Sequence, residues 1–359
     1  DDTAPGDTAP DDTATTSPDT GGEAVDTGFD CGASEWVDTG GEEATAPLPS
    51  TEGAQMLVLA ANMKEASSAD DVDEHADMKE FARRVRTEVP YAPDVVLLQE
   101  VVADSAAYVA EKLEDETGHA YVVAIGPEED TTVESGDDYQ IKRDVAVLYN
   151  DTTMKVATHD GGADEGGFLS HWYNADENAT TGEKRNIKQS AFIYLKKDGI
   201  EDTKFGFVSV HFATSENLAS EEVALEKKGE WSAEVVTEIE GRYTYADGFV
   251  LGGDFNNRRC EEKPETIDCE PTAAWSVLVD AYDYLDAVFD LYGSSNESLW
   301  SQYRKADECV TKRIDYLFVK GRVLAGSHDV DYARVDEGAD GFYSDHRFLW
   351  ALVEKDAAR

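Results

Sequence analysis

The sequence predicts an α/β protein: a four-layered α/β sandwich in which two mixed, mainly antiparallel β-sheets pack face to face with helices outside, preceded by a disordered, acidic N-terminal tether. Three observations predict it. Composition changes abruptly near Gln55. Beyond that point, apolar runs of strand length are interspersed with segments of helical period. Late in the chain, many connections shrink to hairpin length, which suits sheets packed on sheets rather than a purely parallel fold. The chain has 359 residues, 41% of them apolar and 10% aromatic, enough for a large core.

Residues 1–53 carry no Lys or Arg and are dominated by Asp, Thr, Pro, Gly and Ala, with "DTAP" recurring at Asp2 and Asp7. Such a segment buries too little apolar surface to offset its ordering entropy and reads as a self-repelling tether. "FDCGASEW" (Phe29 to Trp36) is its one patch with aromatics. The folded domain is assigned to residues 54–359. There "QMLVLAANM" reads as a buried strand ending at Asn62, and "DEHADMKEFARRVRTEV" as a helix with Met78, Phe81, Val85 and Val89 on one face. "PDVVLLQEVV" is a second strand, its start bracketed by Pro90 and Pro93. "SAAYVAEKLEDETG" is a helix closed by Gly118. "YVVAI", "RDVAVLYN", "SAFIYLK" and "FGFVSVHF" are strands, "ALEKKGEWSAEVVTEIEGR" a helix and "GFVLGGDF" a strand. "AWSVLVDAYDYLDAVFDLYG" is largely helical. "RIDYLFVKG", a run near Val330 and "FLWALVE" complete the strands.

Lys and Arg number 31 against 77 Asp and Glu, a formal net charge of −46. Two origins stay open: adaptation to a saline setting, giving a halotolerant protein, or an acidic surface serving solubility. Either argues against a generic binder of nucleic acid or anionic membrane, since both are polyanions. No run of 18 apolar residues is present, so no stable membrane insertion by the domain is expected. The opening "DDTAPGDTAPDDTATT" reads as a processed or trimmed N-terminus. Cys31, Cys260, Cys269 and Cys309 fit no zinc spacing. A disulfide in an oxidising compartment is preferred over idle thiols, its pairing left open.

The polar residues with chemistry fall at the ends of apolar runs: Asn62, Glu100, His211, Asp254 with Asn256, Asp315, and Asp345 with His346. If those strand ends converge, carboxylates, amides and imidazoles meet in one cleft. Hard oxygen donors with no Cys suit Mg²⁺ or Mn²⁺, with Ca²⁺ as a second ion, rather than zinc. Two histidines beside carboxylates suit proton transfer and charge stabilisation. Together they describe metal-assisted cleavage of a phosphate ester. Side-chain alternation along extended backbone is expected to point Asp254 and Asn256 the same way.

The ordered set "LAAN", "LLQE", "SVH", "GGDFN", "RIDYLF" and "SDH", spanning about Gln55 to Val353, resembles the endonuclease/exonuclease/phosphatase superfamily. Pancreatic-type deoxyribonuclease, abasic-site endonuclease, bacterial sphingomyelinase and inositol polyphosphate 5-phosphatases share that fold. The resemblance implies roles. Glu100 matches the main metal-binding carboxylate, with Asn62 and Asp345 completing or supporting the metal sphere. Asp254 matches the group that orients or activates the attacking water, and Asn256 its partner on the phosphate. His346 matches the catalytic histidine, held by Asp315, and His211 the second histidine, near the scissile phosphate. Arg143 and Tyr139 sit where deoxyribonuclease-like members bind phosphate.

Many of the few basic residues lie beside these motifs: Lys142, Arg143, Lys184, Arg185, Lys188, Arg258, Arg259, Lys312, Arg313 and Arg347. They are expected to form a positive rim that captures an anionic substrate. The resulting expectation is a secreted, divalent-metal-dependent phosphodiesterase and monomer, either extracellular or held at the cell surface by a lipid anchor upstream of the given chain. A nuclease acting on DNA or RNA is the first reading. The alternative is a phosphatase or sphingomyelinase-like enzyme acting on lipid headgroups or small phosphate esters, with "LSHWYNA" (Leu169 to Ala175) a candidate membrane-entering loop. A non-catalytic surface module is the third. His75, His119, His159, His171 and His328 read as solvated or structural, and "GGADEGG" and "EEDTTVESGDD" as solvated loops.

Overall fold

A computed structural model describes residues 46–66, 74–101, 103–127, 139–142, 144–159, 162–163, 166–174, 185–214, 218, 220–260, 270–292, 313–328, 344 and 346–357. In chain order the strands are β1 (Met56–Ala66), β2 (Val95–Val101), β3 (Tyr121–Ile125), β4 (Tyr139–Lys142), β5 (Val145–Asn150), β6 (Met154–Val156), β7 (Thr158–His159), β8 (Gly162–Ala163), β9 (Gly167–Asn174), β10 (Arg185–Lys197), β11 (Phe205–His211), β12 (Gly248–Asp254), β13 (Leu285–Asp286), β14 (Asp315–Lys320), β15 (Arg322–His328) and β16 (Leu349–Glu354). The helices are α1 (Glu74–Glu88), α2 (Ala103–Thr117), α3 (Glu221–Arg242), α4 (Ala273–Ser276) and α5 (Ala287–Tyr292).

One sheet runs β15-β16-β1-β2-β5-β3 and the other β13-β14-β12-β11-β10-β4, with β6 and β9 also on β10. Pairing is mainly antiparallel, but β1 with β2, β4 with β10 and β11 with β12 are parallel. A parallel pair needs a crossover, and α1 supplies that of β1 and β2, α3 that of β11 and β12. The two crossover units therefore bring the ends of four strands to the same pole of the sandwich. β11 and β12 are buried on both faces, which explains their uninterrupted apolar runs.

Between the sheets lie Val58, Leu97, Val147, Ile193, Phe207, Val250 and Leu317. On the outer face of the first sheet, Phe81, Val85 and Leu113 cover Leu57, Val96 and Leu98. On the outer face of the second, Trp231, Val235 and Ile239 of α3 cover Val208, Val210 and Phe249. These are the four layers the sequence predicts. Each such side chain contributes about 1.5–3 kcal/mol on leaving water. At Gly252 the sheets all but touch: a Cβ there would lie 2.6 Å from Leu317 and 2.7 Å from Leu97.

Several local expectations change. The long helical reading after Ala273 breaks into α4, a π-helical turn (Val277–Ala281), β13 and α5. Asp283 adopts a left-handed φ of 61°, which ends the helix, and β13 then pairs with β14. "LSHWYN" is strand rather than loop, part of β9 and paired antiparallel with β10, and Ala175 lies outside the described residues. Gly162 and Ala163 of "GGADEGG" form β8, against β7. Residues 46–53, read from composition as the end of the tether, lie against the domain. Leu48 N–H donates to Thr117 O and Ala92 N–H to Pro49 O, both at 2.9 Å, and Thr51 is buried. The run near Val330 lies outside the described residues.

Candidate active site

The register of the second sheet sets three site residues side by side. Asp254, ending β12, pairs with His211, ending β11, and on its other side with Asp315, opening β14. Across the sandwich, Asn62 of β1 pairs with Gln99 of β2, next to Glu100. Gly253 makes the junction possible. Its φ is +135°, and a Cβ would lie 2.3 Å from Val210 O and 2.7 Å from the Gln99 amide. Gln99 Nε2 in turn donates to Ser209 Oγ at 2.9 Å, and Ser209 Oγ donates to Leu98 O at 2.7 Å, tying the sheets together directly below the site.

Asn62, 1% exposed, donates through Nδ2 to Glu100 Oε1 (2.9 Å) and Asp254 Oδ2 (3.1 Å). Glu100 has a φ of 55°, a left-handed conformation that costs a non-glycine residue free energy and concentrates at functional sites. Asp254 and Asn256 do converge, but not by strand alternation. β12 ends at Asp254, and Asn256 is left-handed with φ 48°. Its backbone N–H turns back to Asp254 Oδ1 (2.7 Å), and its Nδ2 donates to Asp254 Oδ2 (3.1 Å) and Phe212 O (2.9 Å). This is an Asx-type turn. The Nζ of Lys228, a fully buried residue of α3, donates to Asn256 O and holds the turn from behind.

His346 Nδ1 lies 2.8 Å from Asp315 Oδ2, and both residues are buried. On the opposite flank His211 Nδ1 lies 2.8 Å from Asp144 Oδ2, and its Nε2 3.6 Å from Glu100 Oε1 and 4.0 Å from Asp254 Oδ2. Lys188 Nζ donates to Asp144 Oδ2 (2.7 Å) and lies 3.0 Å from His211 Nδ1. Burial alone would push the Asp144 carboxyl up, but His211 and Lys188 outweigh it and hold it well below the usual carboxylate range. Asp254 shows the reverse. Burial and then the Asp315 charge push its carboxyl up, against the opposing pull of His346, His211 and the Asn256 N–H. One carboxylate is thus held ionised beside a second that is short of positive charge.

That shortage is what a cation would correct. Ligand atoms of Glu100, His211 and Asp254 lie within 4.8 Å of one another, as do those of Asp254, Asp315 and His346. The donor set is oxygen-rich and buried, which fits a hard divalent ion.

Of the site residues read from sequence, Glu100, Asn62, His211, Asp254, Asn256, Asp315 and His346 come together. Tyr139 lies on β4, paired with Arg185 of β10. Arg143 and Asp345 lie outside the described residues. The basic rim needs correction. Arg259 is 5% exposed and stacks over Phe289 (4.1 Å) and Trp275 (5.0 Å). Arg313 is buried against Asp286 and the Tyr316 ring. Arg347 is buried, and burial followed by the Arg84 charge lowers its pKa to about 9. These guanidiniums adjoin the motifs in sequence but turn inward, where aromatic faces receive Arg259 and Arg313, and the Asp286 carboxylate also receives Arg313. Among the described residues, Lys188 is a rim residue whose ammonium reaches the site, while Lys184, Lys312 and the side chains of Lys142 and Arg185 lie outside the description.

Sequence reasoning missed Asp144, Lys228 and the role of Lys188. Asp144 had a findable signal: it immediately precedes the apolar run "VAVLY", and the start of β5 lies opposite the end of β2 because the two are antiparallel. Among the other histidines, His119 is structural, its Nε2 2.7 Å from Leu48 O. His171 is buried rather than solvated, and burial pushes its pKa down.

Comparison with known proteins gives a consistent picture. A model of the endonuclease/exonuclease/phosphatase family matches residues 59–346. The endonuclease/exonuclease/phosphatase from Bacteroides vulgatus superposes with a TM-score of 0.54 at 14% identity, covering 85% of this chain and 100% of that one. A family protein from Bacteroides thetaiotaomicron gives 0.55 at 15% identity, over 84% and 98%. A mannosyl-6-phosphatase from Bacteroides thetaiotaomicron gives 0.50 at 16% identity, over 83% and 99%. At such identities the likeness shows the fold. No curated protein sequence matches the chain.

Proposed function

The chain belongs to the endonuclease/exonuclease/phosphatase family of metal-dependent phosphoric ester hydrolases, and from that premise we propose that it is a secreted phosphodiesterase that cleaves nucleic-acid phosphodiester bonds in a single hydrolytic step. The observation that carries this reading is the setting of Asp254, flanked by the His346–Asp315 pair on one side and His211 on the other. Asp254, whose carboxyl is pushed up, orients the attacking water and accepts its proton, with Asn256 beside it. His346, fixed at Nδ1 by Asp315, presents its other ring nitrogen to the charge that develops on phosphorus-bound oxygen. His211, braced by Asp144 and Lys188, serves the same charge from the opposite flank. Glu100 would hold a Mg²⁺ or Mn²⁺ ion, with Asn62 and Asp345 completing its sphere and Ca²⁺ as a second ion. A bound cation supplies Lewis-acid polarisation of the phosphoryl oxygen.

Secretion is supported by Cys260, which is disulfide-bonded, since disulfides persist in oxidising compartments. A second reading, hydrolysis of small phosphate esters, is favoured by one observation: Arg259, Arg313 and Arg347 are buried and unavailable to a long polyanion. The test is incubation with DNA, RNA, sphingomyelin and a chromogenic phosphodiester, with Mg²⁺ and with EDTA. EDTA-sensitive nucleic-acid cleavage is expected, and turnover of small esters alone would replace the first reading with the second. Plasmid cleavage followed from low to molar NaCl adds a check. Salt screens the repulsion from a body of net charge −46 as well as the attraction at the site, so activity should tolerate salt. A steep loss above physiological salt would overturn this expected salt tolerance.

A further inference from the structure

On the outer face of the second sheet, between β9 and α3, lies a pocket of about 430 Å³. His171, Ser170, Glu234, Thr237 and Glu238 line it, with Leu169 as an apolar wall. His171 is 1% exposed, and its Nδ1 has no hydrogen-bond partner. That nitrogen lies 4.0 Å from Glu234 Oε2, too far for a hydrogen bond. The ring is otherwise fixed. Nε2 lies 2.8 Å from Ser190 Oγ, and the imidazole packs edge-on to Phe212 with centroids 5.2 Å apart. Glu238 stands one helical turn beyond Glu234 on the same face of α3.

We propose that this pocket is a second metal site, separate from the phosphoesterase centre, which takes a divalent transition ion such as Zn²⁺ through His171 Nδ1 and the carboxylates of Glu234 and Glu238. The phosphoesterase centre sets His211 and His346 among the carboxylates of Glu100, Asp144, Asp254 and Asp315 at a substrate cleft. Here a single buried imidazole faces two carboxylates against aromatic packing, and imidazole with carboxylate is a donor set that zinc accepts. With bonds of about 2.1 Å and a tetrahedral angle, the nitrogen and oxygen ligands would stand roughly 3.4 Å apart. The three ligand atoms do not converge without the ion: binding would need rotation of Glu234, whose side chain is 64% exposed and 4.0 Å from the ring, and of Glu238, also exposed. Ser190 plays the part usual for a group beside a metal-bound histidine, fixing the ring through the nitrogen that does not ligate. The bound ion would clip β9 to α3 next to Phe212, whose carbonyl accepts from Asn256.

The test is Zn²⁺ binding to the whole chain, read by stoichiometry and by the shift in melting temperature and compared between wild type and variants, so that uptake at the phosphoesterase centre cancels. Wild type should bind one more equivalent than the Glu234→Gln, Glu238→Gln double variant, or bind it at least about tenfold more tightly. His171→Ala should lose the same equivalent. If that buried substitution fails to fold, the double variant, changed at exposed positions, still decides. Equal stoichiometry and affinity in wild type and double variant would overturn the site, leaving the gap to water.

Discussion

β2 and β10 each reach two buried charge clusters, one at either end, and the clusters are built differently. At one pole Asp94, just before β2, is fully enclosed. Its Oδ2 accepts from Thr51 Oγ1 (2.7 Å) and Leu57 N–H (2.9 Å), its Oδ1 from Thr153 Oγ1 (2.5 Å) and Lys197 Nζ (2.9 Å). At the other pole, about 20 Å away at roughly 3.3 Å per residue along β2, stand Glu100, Asp144 and Lys188. Asp144 Oδ2 is shared by Lys188 and His211, but its Oδ1 has no partner among the described residues. Glu100 sits in a left-handed backbone. Asp254 is pushed towards its protonated form. The same two strands thus carry one saturated network and one left short. A saturated network resists change and binds nothing, whereas the deficit at the other pole is what a cation and a phosphate ester would fill.

The comparison is broken most sharply by removing the lysine at each pole. Lys197→Met would leave the Asp94 carboxylate buried without its counter-charge and should cost about 3–5 kcal/mol in denaturant unfolding. Lys188→Met should cost clearly less, because Asp144 keeps His211 and its side chain is 21% exposed. Equal losses would mean the poles do not differ in the way argued. Next in size are His346→Ala and Asp254→Ala. Each should reduce turnover at least about a hundredfold with little loss of stability. Near-wild-type rates in either would remove that residue from the chemistry.

The contrast also explains what could be read from sequence. The four layers were legible because both-face burial of β11 and β12 writes itself as uninterrupted apolar runs, and Glu100, His211 and Asp254 because each ends such a run. The Asp94–Lys197 pair was invisible: a lysine closing a strand looks like any solvated end, and only packing reveals that Thr51 and Thr153 enclose it. Lys228 was hidden for the same reason, next to Lys227, a half-buried lysine that pairs with Glu230 on the surface of the same helix. The buried arginines misled because adjacency in sequence says nothing about direction. Arg258 and Arg259 are neighbours, yet the latter turns into the Trp275 and Phe289 rings. The turn at Asn256 was legible as a site but not as a conformation, since its left-handed φ depends on Phe212 and Lys228 arriving from elsewhere.

Glu100→Gly probes the backbone strain held at the active pole. Glycine accepts a φ of 55° without the penalty a glutamate bears, so this variant should be more stable by about 1 kcal/mol while losing metal-dependent turnover. The same substitution at Gln99, outside the left-handed region and bonded to Ser209, should only destabilise. A Glu100→Gly protein that melts lower than wild type would mean that any relief of strain is smaller than the loss of the Asn62–Glu100 hydrogen bond and the entropy cost of glycine.

The smallest effects divide the active pole itself, where Asp144 and Asp254 are displaced in opposite directions. An unfolded aspartate titrates near 3.9. Asp144 is held below that value, with burial opposed and outweighed by His211 and Lys188. Its contribution to stability is therefore fully present above about pH 4 and fades as pH falls through the folded value. Asp254 is raised, first by burial and then by Asp315. The folded state is then penalised above the folded value of Asp254, and the penalty vanishes below about pH 4. In metal-free protein held in EDTA, Asp144→Asn should lower the melting temperature at neutral pH and Asp254→Asn should raise it. Both differences should shrink on acidification: that of Asp254 closes between its raised value and about pH 4, that of Asp144 only below about pH 4. Thermal scans of the two variants across that range decide the matter. Shifts of the same sign at neutral pH would mean that the pole is uniformly charged, with no division between a carboxylate held ionised and one that draws in a proton or a cation.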